Sequence, residues 1–186
     1  MARLPYVDPE HAPEPVREAL ERVPQLNIFR MIANAETAFR PWLRFGGVLL
    51  SDLALDPLVR ELAILRVARL TPHADYEWVQ HVPIAKACGA TDEQIAALEG
   101  DDVGAACFSG LQQAALRFTT EVVRDARASD ETFAALADRV SPREVVELLL
   151  VIGQYMMLAR VMATTDMELD EPAAPGSLEG GPGSRV

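Results

Sequence analysis

The segment from Pro142 to Thr164 constrains the fold more than any other part of the chain. It begins with Ser141, then Pro142 and, two residues later, Glu144, which together have the serine cap, first-turn proline and third-position glutamate of a helix start. The residues that follow are apolar almost all round the predicted helix. Such a helix is either central in its own subunit or buried in an oligomer.

The rest of the chain also favours helices. Apolar residues recur at spacings of three and four, and no turn dipeptide joins two alternating runs. Asp56 and Pro57 predict the start of a helix that ends before Thr71, and Thr91 begins a capping-box pattern. The sequence therefore predicts an all-α domain of about eight helices.

With 186 residues, the chain has the length of one domain with appendages. We expect an N-terminal extension with a short helix over residues 1–23 and a helical domain over residues 24–170. Residues 171–186 are rich in proline, glycine, serine and acidic residues, and we expect this tail to be disordered.

Charge and composition exclude several partners. The net charge of −11, without a basic stripe, would repel nucleic acid. No apolar run reaches membrane-spanning length, and the N-terminus has no signal-peptide core, so we expect a cytoplasmic protein without a membrane partner. Cys88 and Cys107 form neither a disulfide framework nor a zinc motif.

The stretch from Tyr76 to His81 gathers a phenol, a carboxylate, an indole and an imidazole into about one and a half helical turns. Glu77 and His81 are four residues apart and therefore share one helix face. A carboxylate beside an imidazole favours the protonated ring and fixes its tautomer, which suits a general acid or base. An ordinary surface ion pair is the alternative.

Glu61 lies one predicted helix earlier, among apolar neighbours that favour its partial burial. It is either part of the same site or a salt-bridge partner of Arg60, Arg66 or another helix. Tyr155 is expected in the core, where its hydroxyl is able to reach a pocket. Three histidines without repeated spacing predict no metal site, and the absence of a Gly-rich phosphate loop predicts no nucleotide cofactor.

The segment Arg60–Arg69, followed by Tyr76–Ala85, resembles the carboxymuconolactone decarboxylase family, which shares its fold with alkylhydroperoxidase D-like proteins. Asn27–Arg30 and Gly153–Tyr155 also resemble the longer members of this family. The resemblance runs from about Pro24 to Asp170. It implies an alkylhydroperoxidase D-like helical bundle that assembles as a homotrimer or homohexamer.

The peroxidase branch of this fold uses a glutamate, a Cys-x-x-Cys pair and a histidine. When the sequences are aligned on His81, Ala74 and Glu77 occupy the positions of the two cysteines. Without these thiols no thiolate can attack a peroxide and no disulfide can form. Thiol peroxidase activity is therefore excluded at this site.

The pattern Tyr-Glu-Trp-x-x-His, found from Tyr76 to His81, resembles that of the decarboxylase branch of the family. The resemblance implies that His81 donates or accepts a proton, with Glu77 and Glu61 as its partners. The expected substrate-binding residues are Tyr76, Trp78 and Tyr155. The family reaction protonates a carbon as carbon dioxide leaves an unsaturated lactone, and it needs no metal or organic cofactor.

Two functions remain open. The first is a cofactor-free lyase or isomerase that performs general acid/base proton transfer on a small carboxylated or lactone-like substrate. The second is a non-catalytic helical oligomer that acts as a binding or scaffold protein. A cavity beside His81 would favour the enzyme, and a close-packed polar cluster would favour the scaffold.

Overall fold

The computed structural model describes residues 1–172, and all regular secondary structure in that range is helical. A 3-10 turn at Pro9–His11 precedes the α-helices of this part of the chain, which are α1 (Glu14–Leu20), α2 (Asn27–Ile32), α3 (Glu36–Ser51), α4 (Pro57–Leu70), α5 (Asp75–Ala87), α6 (Asp92–Glu99), α7 (Gly110–Asp125), α8 (Asp130–Ala137) and α9 (Pro142–Thr165). The predicted all-α fold is confirmed. The expected tail lies outside the described residues, except for its first two.

Helices α4, α6 and α9 begin where the capping patterns of the sequence predict. Thr91 and Ser141 each close a capping box at the start of α6 and α9, and Asp56 accepts a hydrogen bond from the Val59 amide at 3.0 Å. Helix α5 begins without a side-chain cap. Ala74 is its N-cap and makes no side-chain hydrogen bond, and Asp75 is the first helical residue, where its negative charge interacts favourably with the helix dipole.

The centre of the fold is α4. Ten consecutive residues, from Val59 to Ala68, are buried, because α4 packs against α5, α7 and α9. This burial includes charged side chains, which require partners. Arg66, for example, donates to the Thr120 hydroxyl of α7 at 2.8 Å and pairs with Asp101. The helix that carries Glu61 is thus the most enclosed element of the described chain.

One side of α9 packs on the core and the other is exposed. The buried side includes Val151, Ile152 and Tyr155. The exposed side, called here the α9 stripe, is a row of apolar residues formed by Val146, Leu149, Leu150, Gly153 and Met157. The sequence left open whether this helix is central in its subunit or buried in an oligomer. Only the buried side of α9 has the environment of a central helix.

Within residues 1–172, α9 is also the one helix long and apolar enough to cross a membrane by length and composition. More than half of its apolar window, 56%, is buried inside the protein, as is usual for a core helix.

The N-terminal region packs on the same core, to which α1 contributes Val16, Ala19 and Leu20.

Candidate functional site

Helices α4 and α5 bring Glu61 and His81 together. The ring Nδ1 of His81 lies 2.8 Å from one carboxylate oxygen of Glu61, although the residues are twenty positions apart in sequence. A carboxylate only accepts hydrogen bonds, so Nδ1 carries the proton that this bond requires. The other ring nitrogen, Nε2, is thereby left as the atom that can exchange a proton with a bound molecule.

The second Glu61 oxygen accepts a hydrogen bond from Arg60 Nε at 2.9 Å. Arg60 also donates to the carbonyl oxygen of Leu50 at the end of α3. Glu61 is fully buried, beyond the partial burial expected, and Arg60 and His81 together compensate its charge. The salt bridge to Arg60 that the sequence offered as one alternative is therefore present, and Glu61 also contacts His81.

The sequence predicts that Glu77 pairs with His81, but the structure shows no hydrogen bond between the two side chains. Its side chain is buried, at 3% exposure, yet neither carboxyl oxygen has a hydrogen-bond partner among the described residues. The helical spacing of four places both residues on one face of α5, but the imidazole nitrogen turns toward α4, where Glu61 offers an ionised acceptor. His81 therefore has one carboxylate partner, and Glu77 is free to interact with something else.

The pKa values of the two buried glutamates are shifted in opposite directions. Burial opposes ionisation of Glu61, but the nearby His81 and Arg60 outweigh it, so the pKa of the Glu61 carboxyl lies below its ordinary value. Burial alone acts on Glu77 and raises the pKa of its carboxyl well above the ordinary value. Two carboxyls whose environments separate their pKa values in this way are typical of an acid and its stabilising partner.

A cavity of about 90 Å³ lies beside these groups, and both Glu77 and His81 line it. One water molecule needs roughly 10–15 Å³ measured in this way, so the space admits a small organic molecule. Most of the wall is apolar, with contributions from Phe29, Leu43 and Leu158. The cavity beside His81 is the feature that the sequence analysis associates with an enzyme.

The structure places two of the three expected substrate-binding residues at this cavity. Tyr155 lines it and packs edge-on against the His81 ring, with 4.8 Å between ring centroids and 89° between ring planes. Tyr76 lines it too, while its hydroxyl donates to Asp170 at 2.6 Å. Burial and this bond raise the pKa of Tyr76, which keeps its hydroxyl protonated.

Trp78 does not line the cavity, contrary to the expectation from the sequence. The cavity face of α5 consists of residues 76, 77, 80 and 81. The helical period turns position 78 away from this face. The indole packs instead against Ala74 and Ala159, with the Arg69 guanidinium 5.5 Å from its ring centre.

Sequence reasoning missed Trp42 on α3. This residue lines the cavity, and its indole Nε1–H is buried without a hydrogen-bond partner among the described residues. A buried tryptophan ordinarily reads as a core residue, so no local signal distinguishes it. Gln80 and Gln154 were also missed, although polar side chains on otherwise apolar helix faces offered a signal.

The segment 166–171, which follows α9, runs along the outer side of this site. Asp170 accepts hydrogen bonds from the Tyr76 hydroxyl and from the Asn27 amide, both at 2.6 Å. Gln80 donates to the carbonyl oxygens of Asp170 and Glu171 at 3.3 and 3.1 Å. The segment therefore holds α2 and α5 together near the cavity.

The two cysteines take no part in the site. Cys88 follows the last residue of α5 and Cys107 lies in the connection before α7, and neither lines the cavity. Among residues 1–172, no group of three histidine, cysteine, aspartate or glutamate side chains is placed to hold a metal ion.

Residues 36–121 match the sequence model of the carboxymuconolactone decarboxylase family. That range includes α4 and α5, and with them Glu61, Glu77 and His81. The resemblance drawn from the sequence is confirmed. No curated protein matches the chain significantly.

Solved structures share the fold. A structure of the alkylhydroperoxidase AhpD core, an uncharacterized peroxidase-related protein from Ralstonia eutropha JMP134, has a TM-score of 0.77 at 18% identity, covering 91% of this chain and 92% of its own. A protein of unknown function from Agrobacterium tumefaciens, described as a putative antioxidant defence protein AhpD, has a TM-score of 0.65 at 20% identity, covering 76% and 96%. A variant of the debrominase Bmp8, solved in complex with 2,3,4-tribromopyrrole, has a TM-score of 0.71 at 16% identity, covering 91% and 94%. The alkylhydroperoxidase D-like fold is confirmed.

Proposed function

Because residues 36–121 match the sequence model of the carboxymuconolactone decarboxylase family, we propose that this protein is a cofactor-free enzyme that moves protons on a small carbonyl compound. The reaction class is that of a lyase or an isomerase, acting on a carboxylated or lactone-like substrate. The observation that carries the proposal is the His81 ring, which is fixed by Glu61 at 2.8 Å and lines a cavity of small-molecule size.

His81 is the general acid/base in this proposal. With Nδ1–H donating to Glu61, the neutral ring presents Nε2 as a base, and the protonated ring presents an acid. The Glu61 carboxylate stabilises the imidazolium that forms during the transfer, and Arg60 holds that carboxylate in place. Glu61 and Arg60 are therefore positioning residues, since neither lines the cavity.

Glu77 supplies the second function that the reaction requires. When a proton leaves carbon next to a carbonyl group, or carbon dioxide leaves it, negative charge develops on the carbonyl oxygen. A protonated carboxyl in a dry site donates a hydrogen bond to such an oxygen. The burial of Glu77 and the raised pKa of its carboxyl support this role.

The scaffold alternative accounts less well for these features. A protein that uses the cluster only for packing gains nothing from a cavity or from a buried carboxyl without a partner, because both lower stability. Glu61 forms ion pairs with both His81 and Arg60, as it would in a purely structural network. The unpaired Glu77 at the cavity wall supports the enzyme.

The test is turnover by wild type and by His81→Gln. The panel contains unsaturated lactones with and without a carboxyl group and the corresponding β-keto acids. Products, released carbon dioxide and deuterium taken up from D2O are followed by mass spectrometry. His11→Gln is the matched control, since His11 is exposed and does not line the cavity.

We expect His81→Gln to lower kcat by about a hundredfold or more, the usual contribution of a positioned general acid or base. His11→Gln should retain the wild-type rate. A His81→Gln protein that turns over substrate at the wild-type rate contradicts the proposal. Unchanged circular dichroism and oligomer mass in both variants would show that the loss is chemical.

A further inference from the structure

Two of the residues that line the cavity have buried polar atoms without partners. These atoms are Trp42 Nε1 and both carboxyl oxygens of Glu77, the side-chain atoms in residues 1–172 that are buried and lack a hydrogen bond. The indole belongs to α3 and the carboxyl to α5, so two separate helices contribute an unpaired polar group to the cavity wall. Native proteins leave few such groups, and each one points to a missing partner. A ligand in the cavity would be that partner.

The charge of the lining restricts which ligand can bind. Within the described part of the chain, no arginine or lysine lines the cavity. The buried Arg60 is engaged with Glu61 and the Leu50 carbonyl oxygen. A carboxylate ligand would thus lose its hydration in a mostly apolar cavity whose described lining offers it no arginine or lysine. An uncharged ligand has no such cost.

We propose that the cavity binds an uncharged, largely apolar carbonyl compound, such as an unsaturated lactone without a carboxyl group, whose oxygen atoms accept hydrogen bonds from Trp42 Nε1–H and the Glu77 carboxyl. This inference rests on the proposed function and narrows its substrate class. Of the two classes that the sequence left open, carboxylated and lactone-like, it selects the second.

The donors match such a ligand. An indole N–H only donates, so its partner must be an acceptor. Burial raises the pKa of the Glu77 carboxyl and so favours its protonated form, which donates one hydrogen bond and accepts another. Apolar side chains such as Leu43, Leu49 and Leu158 cover the hydrocarbon part of the molecule.

The same inference selects the reaction. A substrate without a carboxyl group has no carbon dioxide to lose, which leaves isomerisation by proton transfer. His81 Nε2 removes a proton from the carbon between the carbonyl group and the double bond, and the C–H electron pair forms an enolate whose oxygen is held by the two donors. The imidazolium then returns the proton to the far end of the double bond. The double bond moves into conjugation, and no atom or electron is gained or lost.

The binding test uses two lactones that differ by one carboxylate group. One is a five-membered β,γ-unsaturated lactone with a methyl group, and the other is the same ring with a carboxymethyl group. The chain contains two tryptophans, Trp42 and Trp78, so ¹⁵N-labelled indole signals report the cavity and an internal control together. Trp78→Phe assigns the two signals.

The neutral lactone should shift the Trp42 indole N–H signal and leave the Trp78 signal in place. The carboxymethyl lactone should need at least a tenfold higher concentration for the same shift. Isothermal titration calorimetry, which does not depend on the indole signal, should show that Trp42→Phe weakens binding of the neutral lactone roughly tenfold, the effect of losing one hydrogen bond. Glu77→Leu should have a similar effect, whereas Glu77→Gln keeps a donor and should bind more tightly than Glu77→Leu.

Two results would overturn the inference: equal or tighter binding of the carboxymethyl lactone, or no Trp42 shift with the neutral one. The result of this binding test can be distinguished from the result of the turnover test of the proposed function. Neutral binding without His81-dependent deuterium uptake contradicts the enzyme but supports the site. Turnover of the carboxymethyl lactone that depends on His81 supports the enzyme and overturns this substrate class. Thermal unfolding of each variant shows whether it is folded.

Discussion

At the scale of single residues, Glu61 and Glu77 carry the same carboxyl group in two environments that shift its pKa in opposite directions. Glu61 has Arg60 and His81 as partners, which favour its ionised form, while Glu77 has no hydrogen-bond partner among the described residues and its burial favours the protonated form. The sequence identified both side chains as candidates. It did not show which of them His81 contacts, because that depends on the packing of α4 against α5.

The first prediction concerns the pH dependence of stability at Glu77. Its pKa is raised in the folded state, so above the ordinary value of 4.5 the unfolded chain releases a proton that the folded chain retains. Stability therefore falls as pH rises, until the folded-state pKa is passed. Glu77→Gln removes this loss, and its advantage over wild type should grow by at most about 1.4 kcal/mol per pH unit.

Urea denaturation of both proteins between pH 5 and pH 8 measures this difference. Glu131→Gln, at an exposed position on α8, is the matched control and should follow the wild-type curve. A Glu77→Gln variant that runs parallel to wild type over the whole range would contradict the buried, protonated state of Glu77.

The second prediction concerns Glu61→Gln. This change leaves the buried Arg60 and His81 without their carboxylate and should lower the free energy of unfolding at pH 7 by about 3–5 kcal/mol. Because the pKa of Glu61 is lowered by folding, its contribution is present above pH 4.5 and is lost as pH falls through the folded-state value. Wild type and variant should therefore converge in acid. Denaturation at pH 7 and pH 3 tests this, and an equal difference at both pH values would refute it.

At the scale of helices, the sequence predicts where a helix begins better than which of its faces meets the cavity. Capping residues such as Thr91 and Ser141 act locally, so their pattern is sufficient to locate a helix start. Which side of α5 meets the cavity is decided by α3, α4 and α9, which lie far away in sequence. That is why the sequence wrongly places Trp78 at the cavity and why Trp42 gives no signal.

The third prediction concerns the segment 166–171, which holds α5 through Tyr76. The hydroxyl of Tyr76 donates to the carboxylate of Asp170, a charge-assisted bond at a partly exposed position. In a double-mutant cycle, Tyr76→Phe and Asp170→Asn should show a coupling free energy of about 1 kcal/mol. Chemical denaturation measures it. Strictly additive effects would mean that the bond does not hold the segment in solution.

At the scale of the whole molecule, the α9 stripe indicates assembly. Its apolar side chains recur at spacings of three and four, and Leu150 and Val146 are about half exposed. A soluble protein rarely leaves such a face in water. The sequence left a choice between a central helix and an oligomer interface, and we propose the interface for this side of α9.

The fourth prediction follows from that proposal. Light scattering with size exclusion should give a mass three or six times that of the 20.3 kDa chain. Leu149→Glu combined with Met157→Glu should shift the mass toward the monomer, because each places a charge within the stripe. Leu4→Glu, at an exposed apolar position in the N-terminal region, is the control and should leave the mass unchanged. A monomeric wild type would contradict the proposal.

The enclosure of α4 has a consequence for how the protein would lose activity on heating. Many enzymes inactivate well below their melting temperature because the site lies on loops that open early. Here Arg60 and Glu61 are within the ten buried residues of the central helix. Amide exchange should be slowest in that helix, and the His81 ring is held to it. The proposed activity should thus persist until the fold itself is lost, so that inactivation and melting occur together.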